Sequence, residues 1–136
     1  MELGALTYAM LDAGVCDGVL RRNARGRIAL SVNALPVILP VAYEFLGEEI
    51  VMQVDLEDRN SAALDHAVVA FEVDEFDPVT GEGLSVMVRG FVEGVESRGD
   101  AADQAAGDSV STRALPMVSL TISMLDGRAW SPLQHR

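Results

Sequence analysis

The chain has 136 residues, 49% apolar and 23% charged, the composition of one globular domain with a single core. Twenty-one acidic residues stand against ten basic ones, all arginine, for a net charge of −11; this excludes a nucleic-acid surface, which needs clustered cations. Any anion held here must therefore be held by Arg, by backbone N–H groups or by hydroxyls.

The first element expected is a short helix over Leu11–Arg22. Asp12 is its N-cap candidate, Leu11, Val15, Val19 and Leu20 form its apolar stripe, and Arg21 and Arg22 stand near its C-terminal end. Its Cys16 is the single cysteine, so an internal disulfide and a multi-cysteine metal site are excluded and a buried, inert thiol is expected. Arg25-Gly26 ends the helix, and the alternation of Arg27–Asn33 reads as a strand closed by a turn at Asn33-Ala34-Leu35-Pro36. Val37–Phe45 is a second strand; Pro40 lacks the N–H that a central ladder needs and marks an edge or a bulge. Gly47-Glu48 turns the chain into a third strand, Glu49–Val54, and residues 57–66 read as a short helix.

Residues 67–96 read as one long β-hairpin. Val69, Phe71 and Val73 share one face of its first arm, Val68–Phe76, and Val68, Ala70, Glu72 and Asp74 the other. Asp77–Gly83, with one Pro and two Gly, reverses the chain. The return arm, Leu84–Val95, alternates Leu84/Val86/Val88 against Ser85/Met87/Arg89, with Gly90 and Gly94 expected at bulges or close backbone approaches. Residues 97–113 carry no large apolar side chain but Val110 and are expected to form a mobile loop or a marginal helix. Pro116–Met124 is a last strand, followed by Asp126–Trp130 and a polar tail. No apolar run reaches the ~18 residues that crossing a bilayer requires. The start of the chain has neither a basic segment nor a sustained apolar one, so a soluble, cytoplasmic protein with no membrane partner is expected.

The succession Gly26–Leu30, Leu35–Tyr43, Val69–Pro78 and Ser85–Gly90 resembles the pyridoxamine 5′-phosphate oxidase-like, FMN-binding split-barrel superfamily. Within it, the nearest group is the small nitroimidazole-resistance-like or pyridoxamine 5′-phosphate oxidase-related proteins. The resemblance covers about residues 10–130. It implies a mostly β fold, an antiparallel split β-barrel with short flanking helices, formed by residues 1–136 as one domain. It also implies a homodimer and a flavin lying in a groove between the two subunits.

Carried over by position, the family's phosphate-binding segment falls on Leu56–Ser61, so Arg59, Asn60 and Ser61 are the candidates for the FMN phosphate. Asp55, Glu57 and Asp58 stand beside them, and a carboxylate within ~5 Å of a phosphate costs of order 1–3 kcal/mol at a protein surface. The flavin ring falls to Pro40, Val41, Tyr43 and Ser85, with Arg128 and Trp130 contributed from the segment that follows the last strand. FMN is the cofactor implied, with riboflavin and a deazaflavin as alternatives. His66 and His135 are far apart and His66 reads as a helix-end residue; no metal-ligand spacing, Ser-His-Asp order or phosphate-binding glycine loop occurs. Two functions follow. One is a flavin- or deazaflavin-dependent oxidoreductase acting on a small molecule. The other is a cofactor-poor dimer with a binding or structural role, left after erosion of the phosphate site.

Overall fold

The computed structural model describes residues 4–55, 64–97 and 116–133. Seven strands and one helix follow in the order β1 (Leu6–Met10), α1 (Ala13–Arg22), β2 (Arg25–Val32), β3 (Leu35–Phe45), β4 (Glu49–Gln53), β5 (Val68–Phe76), β6 (Gly83–Ser97) and β7 (Pro116–Pro132). The hydrogen-bonded order is β1-β7-β4-β3-β2-β5-β6, and β6 also pairs with β7. Six strands therefore close into an antiparallel split barrel, with β1 added to the outside of the ring.

The expected hairpin is β5 and β6, in register from Val68↔Phe91 to Phe76↔Gly83. Val69, Phe71, Val73, Val86, Val88 and Val92 are all buried, so the period-2 alternation does place one face in the core. The pairing of β6 with β7 shifts between Arg89 and Gly90 and again between Val92 and Gly94, where the glycines stand. At Gly90 a Cβ would run into the carbonyl oxygen of Thr121; the absence of a side chain lets β7 come close enough to close the ring.

The turn between β2 and β3 is two residues, Asn33 and Ala34, both with positive φ (52° and 66°). That is the hairpin turn whose twist matches its strands. β4 pairs only with Ala42–Phe45 of β3, whereas β2 pairs along Leu35–Ala42. Pro40 therefore sits where β3 is bonded on one side only, as its missing N–H demands.

Helix α1 begins at Asp12, whose carboxylate accepts from the Val15 N–H at 2.9 Å. Its buried stripe is Cys16, Val19 and Leu20, not the expected set with Val15, which is 41% exposed. The register follows from β7: a Cβ at Gly127 would overlap the Cys16 Sγ, so the small thiol and the bare glycine fit each other. The helix end is tied down from two sides. Arg22 donates to both carboxylate oxygens of Glu75 at 2.7 and 2.6 Å, and the Asn23 amide donates to the Val19 carbonyl and to Glu75.

Two expectations about strands are corrected. β1 was not anticipated, and the last strand runs to Pro132 rather than stopping at Met124. Asp126-Gly127-Arg128 reads locally as a turn, yet it continues β7 because β6 pairs along its whole length and Arg128–Pro132 takes β1 on the opposite edge. Most of the helix expected over 57–66 and of the loop expected over 97–113 lies outside the described residues; Ser97 itself ends β6. Among the described residues no helix is long and apolar enough to cross a membrane.

Candidate functional site

Residues that alternate into the core leave their neighbours on the outer wall, and cross-strand register shows which of these share a row. One row runs Pro40, Arg27, Glu72, Met87, Asp126 across β3, β2, β5, β6 and β7. The next runs Ile38, Ala29, Ala70, Arg89, Met124. Two alanines side by side, between the longer Ile38 and Met87, make a depression. It is an open groove of about 410 Å³ lined by Arg27, Ala29, Ile38, Ala70, Glu72 and Met87, with part of Phe71 at its base. The floor is apolar and shallow, and charge stands at one end, where Arg27 lies 3.8 Å from Asp74.

A second cluster forms where β6, β7 and β1 meet. Ser85 is the register partner of Arg128, and Gly83 that of Trp130. The space where a Cβ on Gly83 would stand is filled by the Trp130 indole, so the glycine lets the ring lie against the strand. On the other side Trp130 pairs with Tyr8 and Arg128 with Met10. The Arg128 guanidinium sits over the Tyr8 ring, 5.7 Å from its centroid.

The candidate residues named from sequence divide among these places. Ser85, Arg128 and Trp130 come together. Pro40 lies in the groove's neighbourhood, beside Arg27. Val41 and Tyr43 point the other way: both are buried, and the Tyr43 hydroxyl donates to the Leu20 carbonyl at 2.8 Å. Their side chains belong to the core, and on this stretch of β3 only the alternate residues Pro40 and Ala42 are exposed. Arg59, Asn60 and Ser61 lie outside the described residues. His66 is exposed, 3.7 Å from Asp65. Among the described residues no group of His, Cys, Asp and Glu gathers to hold a metal ion.

Sequence reasoning missed Ala29, Ala70 and Met87 as groove residues, although their outward positions follow from the alternation it used. It also missed Tyr8, because it missed β1. The pattern Leu6/Tyr8/Met10 against Thr7/Ala9 was the available signal.

A family model for pyridoxamine 5′-phosphate oxidase matches residues 12–128. The chain belongs to the pyridoxamine 5′-phosphate oxidase family. No curated protein matches the sequence. Among solved structures it is similar to an FAD-binding protein from Mycobacterium smegmatis, with 22% identity, 90% of this chain and 98% of that one covered, and a TM-score of 0.65. It is likewise similar to an FAD-binding protein from Mesorhizobium loti (20% identity, 93% and 99% covered, TM-score 0.66). A protein named for 5-nitroimidazole antibiotic resistance, from Bacteroides thetaiotaomicron, shows the same architecture at 11% identity (94% and 90% covered, TM-score 0.65). At such identities the likeness establishes the fold.

Within this member of the pyridoxamine 5′-phosphate oxidase family, Pro40 and the Arg128 cluster stand on β3 and β7, with β2, β5 and β6 between them. They face outward from different strands of a closed ring, so one chain does not aim both at a common point. Two titrating groups near this wall are shifted. Burial, then the charge of Glu75, pushes the Tyr43 phenol up to about 12. The hydrogen bond from Arg22 holds the Glu75 carboxyl below its ordinary value. Both are occupied in structural contacts, and neither faces the groove as an acid or base. The wall offers flat apolar surface, arginine donors, a hydroxyl and the Glu72 carboxylate.

Proposed function

We propose that this protein binds a flavin of the FMN class between the outer walls of two copies of itself, and that the bound flavin serves oxidation or reduction of a small molecule. The observation that carries the reading is the outer wall. Its two-alanine floor lies between Ile38 and Met87, and Ile38, Val68 and the Val68 partner Phe91, all on the outward face, are 67%, 81% and 37% exposed. Single exposed apolar residues are ordinary, but a contiguous group on one sheet face marks an interface or a ligand groove. A two-fold pairing of that face would set the β3 side of one copy against the Arg128 cluster of the other, which stand on different strands of a single chain.

The residues present fit such a group. A flavin ring needs a flat apolar bed and a few polar contacts at its edge. Ala29, Ala70, Ile38, Met87 and the outward edge of β3 at Pro40 would form the bed. Arg27, Ser85 and Arg128 would serve the oxygens, and Trp130 offers a ring face. When bound, a flavin supplies hydride or electron transfer, and the protein's part is placement and electrostatics. Closure of the wall by a second copy would exclude water from the bed.

The test is direct. Purified protein should be yellow, or should gain flavin absorbance and quench flavin fluorescence on adding FMN, FAD, riboflavin or a deazaflavin. Light scattering at micromolar concentration should give twice the 14.5 kDa of the chain. A colourless monomer that takes none of the four refutes the proposal. The alternative, a dimer without cofactor, is favoured by one feature: the chain has no lysine, and Glu57 and Asp58 precede Arg59. A colourless dimer that binds no flavin would support it.

A further inference from the structure

We infer that Tyr8 is a positioning residue: its ring holds the Arg128 guanidinium in place, still fully charged, for an oxygen-rich part of the flavin. This rests on the proposed flavin site, to which it adds a residue and a role. The other arginines explain why Arg128 is distinctive. Arg21 pairs with Asp17, Arg22 with Glu75 and Arg27 with Asp74. In a chain with 21 acids and 10 basic residues, pairing is the expected state of an arginine. Among the described residues Arg128 has no ion-pair partner and lies instead over the Tyr8 ring. Arg25 and Arg89 also lack a carboxylate there, but both are exposed and neither has a ring beneath it.

The difference matters chemically. A carboxylate partner would occupy two of the guanidinium's donors and cancel its charge towards a third party. A ring face attracts the cation through its quadrupole and takes none of the N–H donors, so charge and donors remain for an incoming acceptor. Position is supplied by β1. Its register puts Tyr8 opposite Trp130 and Met10 opposite Arg128, so the ring lies beside the indole and under the guanidinium, with Ser85 across the strand on β6. Tyr8 itself is 61% exposed, which leaves its ring little packing role of its own.

The test is a set of four variants titrated with FMN and with riboflavin. Flavin fluorescence reports binding, and emission of Trp130, the single tryptophan, reports it independently. Tyr8→Leu should weaken binding roughly two- to fivefold, the size of an exposed cation–π contact. Tyr8→Phe, which keeps the ring, should bind within about twofold of the native protein. Arg128→Met should weaken binding more, by about tenfold or above, as loss of a charge-assisted contact does. In the Arg128→Met background, Tyr8→Leu should add nothing further. A loss confined to FMN identifies the phosphate as the group held, and a loss shared with riboflavin identifies the ring oxygens. Melting temperatures should stay within about 2 °C of the native value; should Tyr8→Leu fall below that, Tyr8→Val carries the same comparison on a β-branched side chain. The inference is overturned if flavin affinity ignores Tyr8→Leu, if Tyr8→Phe loses as much as Tyr8→Leu, or if the Tyr8 and Arg128 losses simply add. Native protein that binds none of FMN, FAD, riboflavin and a deazaflavin overturns the proposed site and this role with it, whereas the three preceding outcomes overturn the role alone.

Discussion

Replacing Tyr43 by Phe removes one oxygen and should disturb the point where helix and barrel are fastened. The Tyr43 side chain is 8% exposed and its ring meets Phe71 edge-on at 4.9 Å, a contact that Phe would keep. Only the 2.8 Å hydrogen bond to the Leu20 carbonyl, in the last turns of α1, is lost. A buried carbonyl left without its donor costs about 1–3 kcal/mol; with the ring contact retained, we expect about 1–2 kcal/mol and a melting temperature lower by roughly 3–8 °C. The same side chain gives a second signature at high pH. Its folded pKa of about 12 lies above the ordinary 10.0, so the stability it contributes is complete below pH 10 and is lost as pH rises towards 12. The shift sets an upper bound of about 2.7 kcal/mol on that loss. Thermal melts followed by circular dichroism between pH 7 and 12 should show a steeper alkaline decline in the native protein than in Tyr43→Phe. A variant that melts within about 1 °C of the native protein and keeps the same alkaline profile would refute this account of how α1 is anchored.

Other substitutions probe the turn, the closure, the ion pair and the cofactor's phosphate. Ala34 has φ 66°, a region costing a non-glycine residue roughly 1–2 kcal/mol, so Ala34→Gly should stabilise the fold by about 0.5–1 kcal/mol in urea melts, after glycine's own entropy is offset. Gly90→Ala should destabilise it towards the upper end of the ~1–3 kcal/mol seen for overpacking, because the opposing group is the backbone carbonyl of Thr121 and cannot swing aside. Glu75→Gln should lower the melting temperature at pH 7 by roughly 1–3 °C. Glu75's folded pKa is depressed below 4.5, so its contribution is present above that value and fades as pH falls through the folded pKa, where the two proteins should converge. Riboflavin should bind within about tenfold of FMN, or ~1.4 kcal/mol, because Glu57 and Asp58 precede Arg59 in the segment matched to the phosphate. A preference for FMN above a hundredfold would contradict that.

The parts of the fold legible in the sequence were those fixed by local alternation. Val69/Phe71/Val73 and Val86/Val88 announced their buried face, Asp12 its cap, Pro40 its half-open strand and Gly90 its irregularity, each through a constraint acting within a few residues. What escaped depended on partners distant in sequence. Gly127 reads as a turn residue until Cys16, 111 positions earlier, is seen to occupy the space beside it. β1 has five exposed residues, so the Leu6/Tyr8/Met10 alternation is its one local signal and marks no core face; the strand exists because Arg128–Pro132 offers a free edge. For the candidate site the limit was similar. Tyr43 looked like an amphipathic strand residue because nothing in its own segment reveals that its hydroxyl meets the end of α1. Ala29 and Ala70 are unremarkable alone, and form a floor only when β2 and β5 set them side by side.

The position of β7 also bears on how the chain reaches its fold during synthesis. Until β7 emerges, β4 and β6 each present an unpaired edge, and β1 has no neighbour at all. Everything made before residue 116 is thus an open sheet with two sticky borders, the arrangement most prone to pair with another nascent chain. The last strand joins both borders and captures the first strand in one step. Ring closure should therefore be a late, cooperative event with a high loop-closure cost. A ribosome stalled before residue 116 should hold a chain that proteases cut freely, and one stalled after residue 132 has cleared the tunnel should hold a resistant barrel.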